Sequence, residues 1–271
     1  MALNYLSIPN RSVFRYPGGK TWLVPVVRRW LSSVGCSRMI EPFCGGGIIG
    51  LTAVAESLTE QVVMIEKDPE VAAVWRAVLE DGQWLMDRIR GFRMSREEVA
   101  KVLGGKPSDR REKAFATLLR NRVSYGGVMC AHSGLIRNGD YGKGIGARWY
   151  PETLCRRIQD IQSYKDRIVF IKGDAFRYFD GRYGYRQGCC FIDPPYSVAG
   201  RKLYRYGEVD NELLFKKVSS LPYPFLMTYD KSDFVVGLAD KYGIQYRSVP
   251  MQTNHLVHKE ELLLSDSFDW M

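Results

Sequence analysis

Glu41-Pro42-Phe43-Cys44-Gly45-Gly46-Gly47 follows a short apolar run and opens a helical pattern. Met39 to Cys44 reads as a buried strand, and a strand running through glycines into a helix is where an open α/β sheet receives a nucleotide-like ligand. Glycines let such a ligand approach the backbone. Taken alone, the pattern fits a dinucleotide site or a plain tight turn equally well. The next apolar run, Gln61 to Ile65, sharpens the reading because it ends in Glu66-Lys67-Asp68. An acidic side chain at the tip of a second strand commonly accepts hydrogen bonds from a ribose. Glu66 is the expected ribose ligand, and Asp68, just before Pro69, is either a further cofactor contact or a helix cap.

Further strands are expected over 167–172, 189–193 and 225–229, with helical stretches between the later ones, which is the grammar of a mostly parallel sheet. Ile244 to Val249 and Glu261 to Leu264 predict an antiparallel edge hairpin whose turn carries Asn254. Roughly a hundred residues separate the second and third strands, where a crossover helix needs only ~10–15. Something is therefore inserted there. It begins with helical patterns, such as Ala114 to Arg122, and turns glycine-rich from Tyr125 to Tyr150.

The composition, 45% hydrophobic and 25% charged over 271 residues, is that of an ordinary globular chain and excludes a disordered or membrane class. No apolar run approaches the ~20 residues of a membrane helix, and no basic-then-apolar leader is visible. A cytoplasmic location without membrane contact is the default expectation. The net charge of +9 points to a polyanionic partner, and its distribution is uneven. Between Lys101 and Arg157, twelve basic residues stand against four acidic ones, so that segment carries +8 of the total. Cys36, Cys44, Cys130, Cys155, Cys189 and Cys190 lack paired spacing and read as reduced thiols. His132, His255 and His258 lie far from any cysteine cluster, so no metal is implied.

Asp193-Pro194-Pro195-Tyr196 follows the apolar run Cys189 to Ile192, which puts a carboxylate at the C-terminal edge of the sheet, stiffened by two prolines. That arrangement suits a poorly nucleophilic ring amine whose lone pair must be aimed at a methyl donor. The Asp193 carboxylate and the Pro194 carbonyl are two acceptors for the two amine hydrogens, and Tyr196 offers a flat face to the ring. As positive charge develops on the nitrogen, these acceptors bind it more strongly. Gly18-Gly19-Lys20-Thr21 also resembles the end of a phosphate loop, but Phe14 stands where its first glycine is required.

Phe14-Arg15-Tyr16-Pro17-Gly18-Gly19-Lys20, the Glu41 to Gly47 segment and Asp193-Pro194-Pro195-Tyr196, in this order, resemble the Dam-type (D12 class, alpha group) DNA adenine-N6 methyltransferases. The likeness spans nearly the whole chain. It implies a Rossmann-like α/β sheet that uses S-adenosylmethionine and ends in an antiparallel C-terminal hairpin. Residues 1–78 and 165–271 would form the catalytic domain, and 79–164 an inserted, mainly helical target-recognition domain. The implied cofactor site comprises Tyr16, Lys20, Phe43, Gly45, Gly47, Glu66, Asp68, Asp174 and Asp193. Asp174, in Gly173-Asp174-Ala175-Phe176, resembles the acidic contact to the cofactor's adenine, with a helix cap as the alternative. The implied catalytic set is Asp193, Pro194, Pro195 and Tyr196, acting on adenine in double-stranded DNA, with the chain working as a monomer.

A reacting adenine lies inside the duplex and must be rotated out, at a cost of a few kcal/mol that phosphate contacts offset. Arg120, Arg122, Arg137, Lys143 and Arg148 are the candidates for DNA contact, more as phosphate partners than as base readers. Two departures from the family stand out. Glu66 occupies a position usually held by Asp, and Ser133 to Gly142 lacks the Phe-Asn hairpin of the Dam enzymes, so no target sequence is inherited. Cytosine-N4 methylation more often goes with Ser in place of Asp193, and RNA adenine methylation with Asn. A non-catalytic DNA-binding protein with this fold, and a dinucleotide oxidoreductase, are the remaining alternatives.

Overall fold

A computed structural model describes residues 8–15, 19–127, 134–137, 142–184, 187–196, 208–252 and 258–271. Its strands are β1 (Arg38–Glu41), β2 (Gln61–Glu66), β3 (Ile168–Lys172), β4 (Cys189–Ile192), β5 (Phe225–Asp230), β6 (Gln245–Gln252) and β7 (His258–Ser265). They form one sheet in the order β3-β2-β1-β4-β5-β7-β6, parallel except for β7, which runs antiparallel to both β5 and β6. The predicted C-terminal hairpin is present, and its turn residue Asn254 lies outside the described residues. The first strand is shorter than its apolar run because Pro42 has no N–H to continue the ladder.

The first helices are α1 (Val24–Val34), α2 (Ile48–Ala55) and α3 (Pro69–Glu80). The insertion supplies α4 (Gly82–Arg90), α5 (Arg96–Gly104), α6 (Arg110–Val123) and α7 (Pro151–Ser163). After it come α8 (Ala175–Phe179), α9 (Asn211–Val218) and α10 (Asp233–Tyr242). Side-chain caps fix several starts: Asp68 accepts from the Glu70 N–H, Asp109 from Glu112 and Ser232 from Val235. None of the described helices is long and apolar enough to cross a membrane.

Both faces of the sheet are covered over β1, β2, β4 and β5, which is why these strands read as continuous apolar runs, whereas the edge strand β6 is largely exposed. Val62 and Met64 of β2 enter a core with α1, α2, α3, α4, α6 and α7, whereas Val63 and Ile65 enter a second core with α9 and α10. Leu85, Phe115, Leu118, Trp149 and Ile158 of the insertion belong to the same buried cluster as the strand residues Met39 and Phe191. The insertion is thus packed onto the sheet's helical layer through a continuous apolar core.

The expectation that all six cysteines are reduced is corrected. Cys36 and Cys189 form a disulfide, their Cα atoms 6.0 Å apart across 153 residues of sequence. Cys36 precedes β1 and Cys189 opens β4, and the pairing of these two strands opposes Met39 to Cys189. Parallel pairing between distant strands creates this proximity, which local spacing does not encode. Cys44, Cys155 and Cys190 are free and buried.

Candidate active site

Strand order reverses between β1 and β4, and the carboxyl ends of strands at such a switch point frame a ligand crevice. Asp193 leaves β4 there. The β4–β5 register sets Ile192 opposite Met227, which brings Thr228 beside Asp193. Thr228 Oγ1 donates to Asp193 Oδ1 at 2.8 Å, Tyr196 OH donates to the same oxygen at 3.3 Å, and Lys20 Nζ lies 3.1 Å from it. Three donors thus converge on Oδ1. They pin the carboxylate through Oδ1, and its second oxygen keeps lone pairs for further acceptance.

Lys20 is almost fully buried and also lies 3.7 Å from Glu261 Oε1 on β7. One cation between two carboxylates gives the group a formal charge of −1, which suits a cationic ligand. The Tyr196 ring stacks on Tyr229 with centroids 5.4 Å apart, and Lys20 Nζ sits 4.9 Å from its centroid. Burial, together with the charges of Asp193 and Glu261, raises the Tyr196 phenol well above its ordinary range, so it stays a hydrogen-bond donor. Pro194 is buried and Pro195 half-buried, holding the chain that links Asp193 to Tyr196.

The glycine turn is locked to the tip of β2. Glu66 Oε2 accepts from the Gly45 N–H at 3.0 Å, and Oε1 accepts from the Asp68 N–H at 2.7 Å. Trp75 Nε1 donates to the Gly45 carbonyl at 2.8 Å. Gly47 has φ +62, and a Cβ there would stand 2.5 Å from Met64 Cε and 2.8 Å from the Trp75 ring. Its lack of a side chain is therefore required by turn and packing together. Phe43 is half-buried against the core on the α9–α10 face.

A family model described as D12 class N6 adenine-specific DNA methyltransferase matches residues 16–252. The chain belongs to this family. The methyltransferase transfers a methyl group from S-adenosylmethionine to N6 of adenine in DNA. Among solved structures, it is similar to an rRNA methyltransferase from Streptomyces viridochromogenes, at 15% identity and a TM-score of 0.44, covering 98% of this chain and 94% of that one. A putative RNA methyltransferase from Pyrococcus horikoshii is similar at 9% identity and a TM-score of 0.42, covering 93% and 84%. Comparison with curated protein sequences finds no match.

The residues fit the methyl donor. Each Glu66 oxygen takes one backbone N–H and keeps acceptor capacity for a diol, and the net negative Lys20 group matches a sulfonium. Burial pushes the Glu66 carboxyl up to about 7, the Asp68 charge adding to the rise while the Asp68 and Gly45 N–H bonds oppose it. Because the folded pKa exceeds the unfolded value of 4.5, the native protein holds a proton that the unfolded chain releases. Unliganded methyltransferase should lose about 2–3 kcal/mol of stability as pH rises from about 4.5 through 7 from this group. Melting curves across that window should show this loss, and Glu66→Gln should flatten its share of the profile. An identical pH profile in the variant would contradict the assignment.

Asp68 and Asp174 both serve as helix caps, accepting from Glu70 and Phe176. Asp174 also pairs with Lys67 at 2.7 Å; burial raises its carboxyl, but Lys67 and the Phe176 N–H outweigh it and bring the pKa below the ordinary value. Tyr16 lies outside the described residues. Thr228, Glu41 and Glu261 also enter the site; the charge of Glu261 reads from the sequence as part of a solvated turn, and this is corrected, since it is buried on β7 beside Lys20. Glu41 is buried at the end of β1, and its Oε2 accepts from the Gly50 N–H. Burial raises its carboxyl well above the ordinary range, the Gly50 bond opposing this and the Asp193 charge adding to it. Thr228 and Glu261 reach the site only through strand pairing, outside every contiguous motif, whereas Glu41 opens the glycine motif itself and was passed over there.

The DNA candidates divide. Arg137 and Lys143 are exposed, and Arg120 and Arg148 are half-buried. Arg122 is corrected: it is buried, donates to the Val13 carbonyl, and burial lowers its guanidinium to about 9 with help from Arg157 and Arg15. Neighbouring Asn121 bonds both the N–H and the carbonyl of Arg15, and Arg157 Nη1 donates to the Ser12 carbonyl. Ser12 Oγ in turn donates to the Gly46 carbonyl. The C-terminal end of α6 and the middle of α7 thus clamp residues 12–15 against the glycine turn. Arg122→Met should leave the salt slope of DNA binding unchanged, whereas Arg137→Gln with Lys143→Gln should lower it by up to about 2. A reduced slope in Arg122→Met would restore that residue to the DNA surface.

Proposed function

We propose that the methyltransferase acts at one short sequence motif in double-stranded DNA, on an adenine rotated out of the stack into the space before Asp193. The convergence of three donors on Oδ1 carries this reading, because it leaves Oδ2 to receive an amine hydrogen. The Pro194 carbonyl receives the other. Tyr196, braced by Tyr229, is the wall against which the base rests. S-adenosylmethionine, when bound, supplies an electrophilic methyl on a positively charged sulfur.

Asp193 holds the amine so that its lone pair is aimed along one line, removing orientational freedom before reaction. Its carboxylate interacts more strongly as the nitrogen becomes cationic, and Oδ2 is positioned to take the proton that N6 gives up. Lys20 and Thr228 keep the carboxylate from turning. Glu66 would hold the ribose, with Tyr16, Lys20, Phe43, Gly45, Gly47, Asp68 and Asp174 completing the cofactor site. The insertion over 79–164 would contact the duplex through Arg120, Arg137, Lys143 and Arg148, and one chain is the catalytic unit.

The test follows mapping of the modified positions in plasmid DNA. With 2-aminopurine replacing the target adenine, binding should raise its fluorescence severalfold as the base leaves the stack. Unchanged fluorescence in a fully bound duplex would contradict rotation of the base.

A further inference from the structure

We propose that a groove between α3, α5, α6 and the tip of β3 holds backbone phosphates of the DNA flanking the target base. The inference rests on the DNA-methylation reading above and adds a contact surface partly outside the insertion. The groove encloses about 640 Å³ and is lined by Arg76, Lys113, Arg120 and Lys172. Among the described residues, none of these four is held in an ion pair. Arg110 also lines the groove but is committed to Glu80 and Asp81. Of the two acids present, Asp109 caps α6 and Glu70 has contacts of its own, so the cations lining the groove outnumber its acids.

Ala72, Ala73, Gly105 and Ala116 also line it, small residues that leave room beside the charged side chains. No aromatic ring lines the groove to stack a base, which favours phosphate over nucleobase recognition. Its position suits the same duplex. Lys172 pairs with Glu66 across β3 and β2, so the groove opens at the sheet edge that also bears Asp193. β3 lies three strands from β4, about 14 Å at ordinary strand spacing. That span corresponds to about four nucleotide steps along one strand.

The test measures binding to a random-sequence 30-base-pair duplex by anisotropy over a range of potassium chloride concentrations. Replacing Arg76, Lys113, Arg120 and Lys172 together by Gln should lower the slope of log affinity against log salt by about 3. The KM for unmethylated plasmid DNA should rise about tenfold with kcat at saturating DNA unchanged. Arg76→Gln with Lys172→Gln removes only exposed side chains, leaves the packing intact, and should lower the slope by about 2. Arg29→Gln with Lys165→Gln, exposed near the opposite edge of the sheet, should leave it unchanged. An unchanged slope in the Arg76 and Lys172 variant, or an equal fall in the Arg29 and Lys165 control, overturns the groove. Loss of slope in these variants, together with no methyl transfer to adenine by the wild-type protein, overturns the methylation reading and leaves the groove standing.

Discussion

Asp193→Ala should reduce kcat by ~10³-fold or more while S-adenosylmethionine binding stays within about tenfold of wild type. The asymmetry follows from the two oxygens. Oδ1 is tied to Thr228, Tyr196 and Lys20, and in the proposed mechanism Oδ2 accepts from the reacting amine. Removing the carboxylate deletes both the grip on the amine and the negative charge that strengthens as N6 becomes cationic. Glu66 and the glycine turn are untouched by this change. Asp193→Asn should also fail, since an amide carries no charge and presents an acceptor on only one side. Single-turnover transfer of labelled methyl, with calorimetry for cofactor binding, separates the two effects. Transfer within tenfold of wild type in either variant would remove Asp193 from the chemistry.

Lys20→Met should destabilise the fold by about 3–5 kcal/mol, because it leaves the buried Glu261 carboxylate and its neighbour Asp193 without their cation. For a chain of this length that amounts to a fall in Tm of roughly 6–15 °C. Adding Glu261→Met should restore at least half of the loss, since a buried ion pair replaced by packed apolar groups is often neutral. Activity should not return with stability. The double variant still lacks the ammonium that fixes Oδ1 and the negative charge balanced against a cationic methyl donor. A double variant as unstable as Lys20→Met would place the cost elsewhere than at Glu261.

Much of this architecture could be read from local sequence. The central strands appear as apolar runs because both faces of the sheet are buried there, and Asp68, Asp109 and Ser232 announce helix starts through their own side chains. Lys20, Asp193 and Tyr196, named from separate motifs, do meet in space. What escaped the sequence reading depends on which distant elements touch. Thr228 and Glu261 reach Asp193 and Lys20 only through the order β4-β5-β7, which no local pattern specifies. The Cys36–Cys189 bond arises in the same way from the pairing of β1 with β4. Arg122 was misplaced for a related reason. In a basic segment every arginine looks like a phosphate contact, and only helix phase and the docking of residues 12–15 show that this one points inward. The basic groove was hidden because its cations come from α3, α6 and β3, three stretches far apart in the chain.

The most direct test incubates the protein with labelled S-adenosylmethionine and genomic DNA lacking methylation, then resolves the nucleosides of the product. Wild-type protein should place label in N6-methyladenine alone, and Asp193→Ala should place none. Label in N4-methylcytosine, or undiminished N6-methyladenine from Asp193→Ala, would contradict the account.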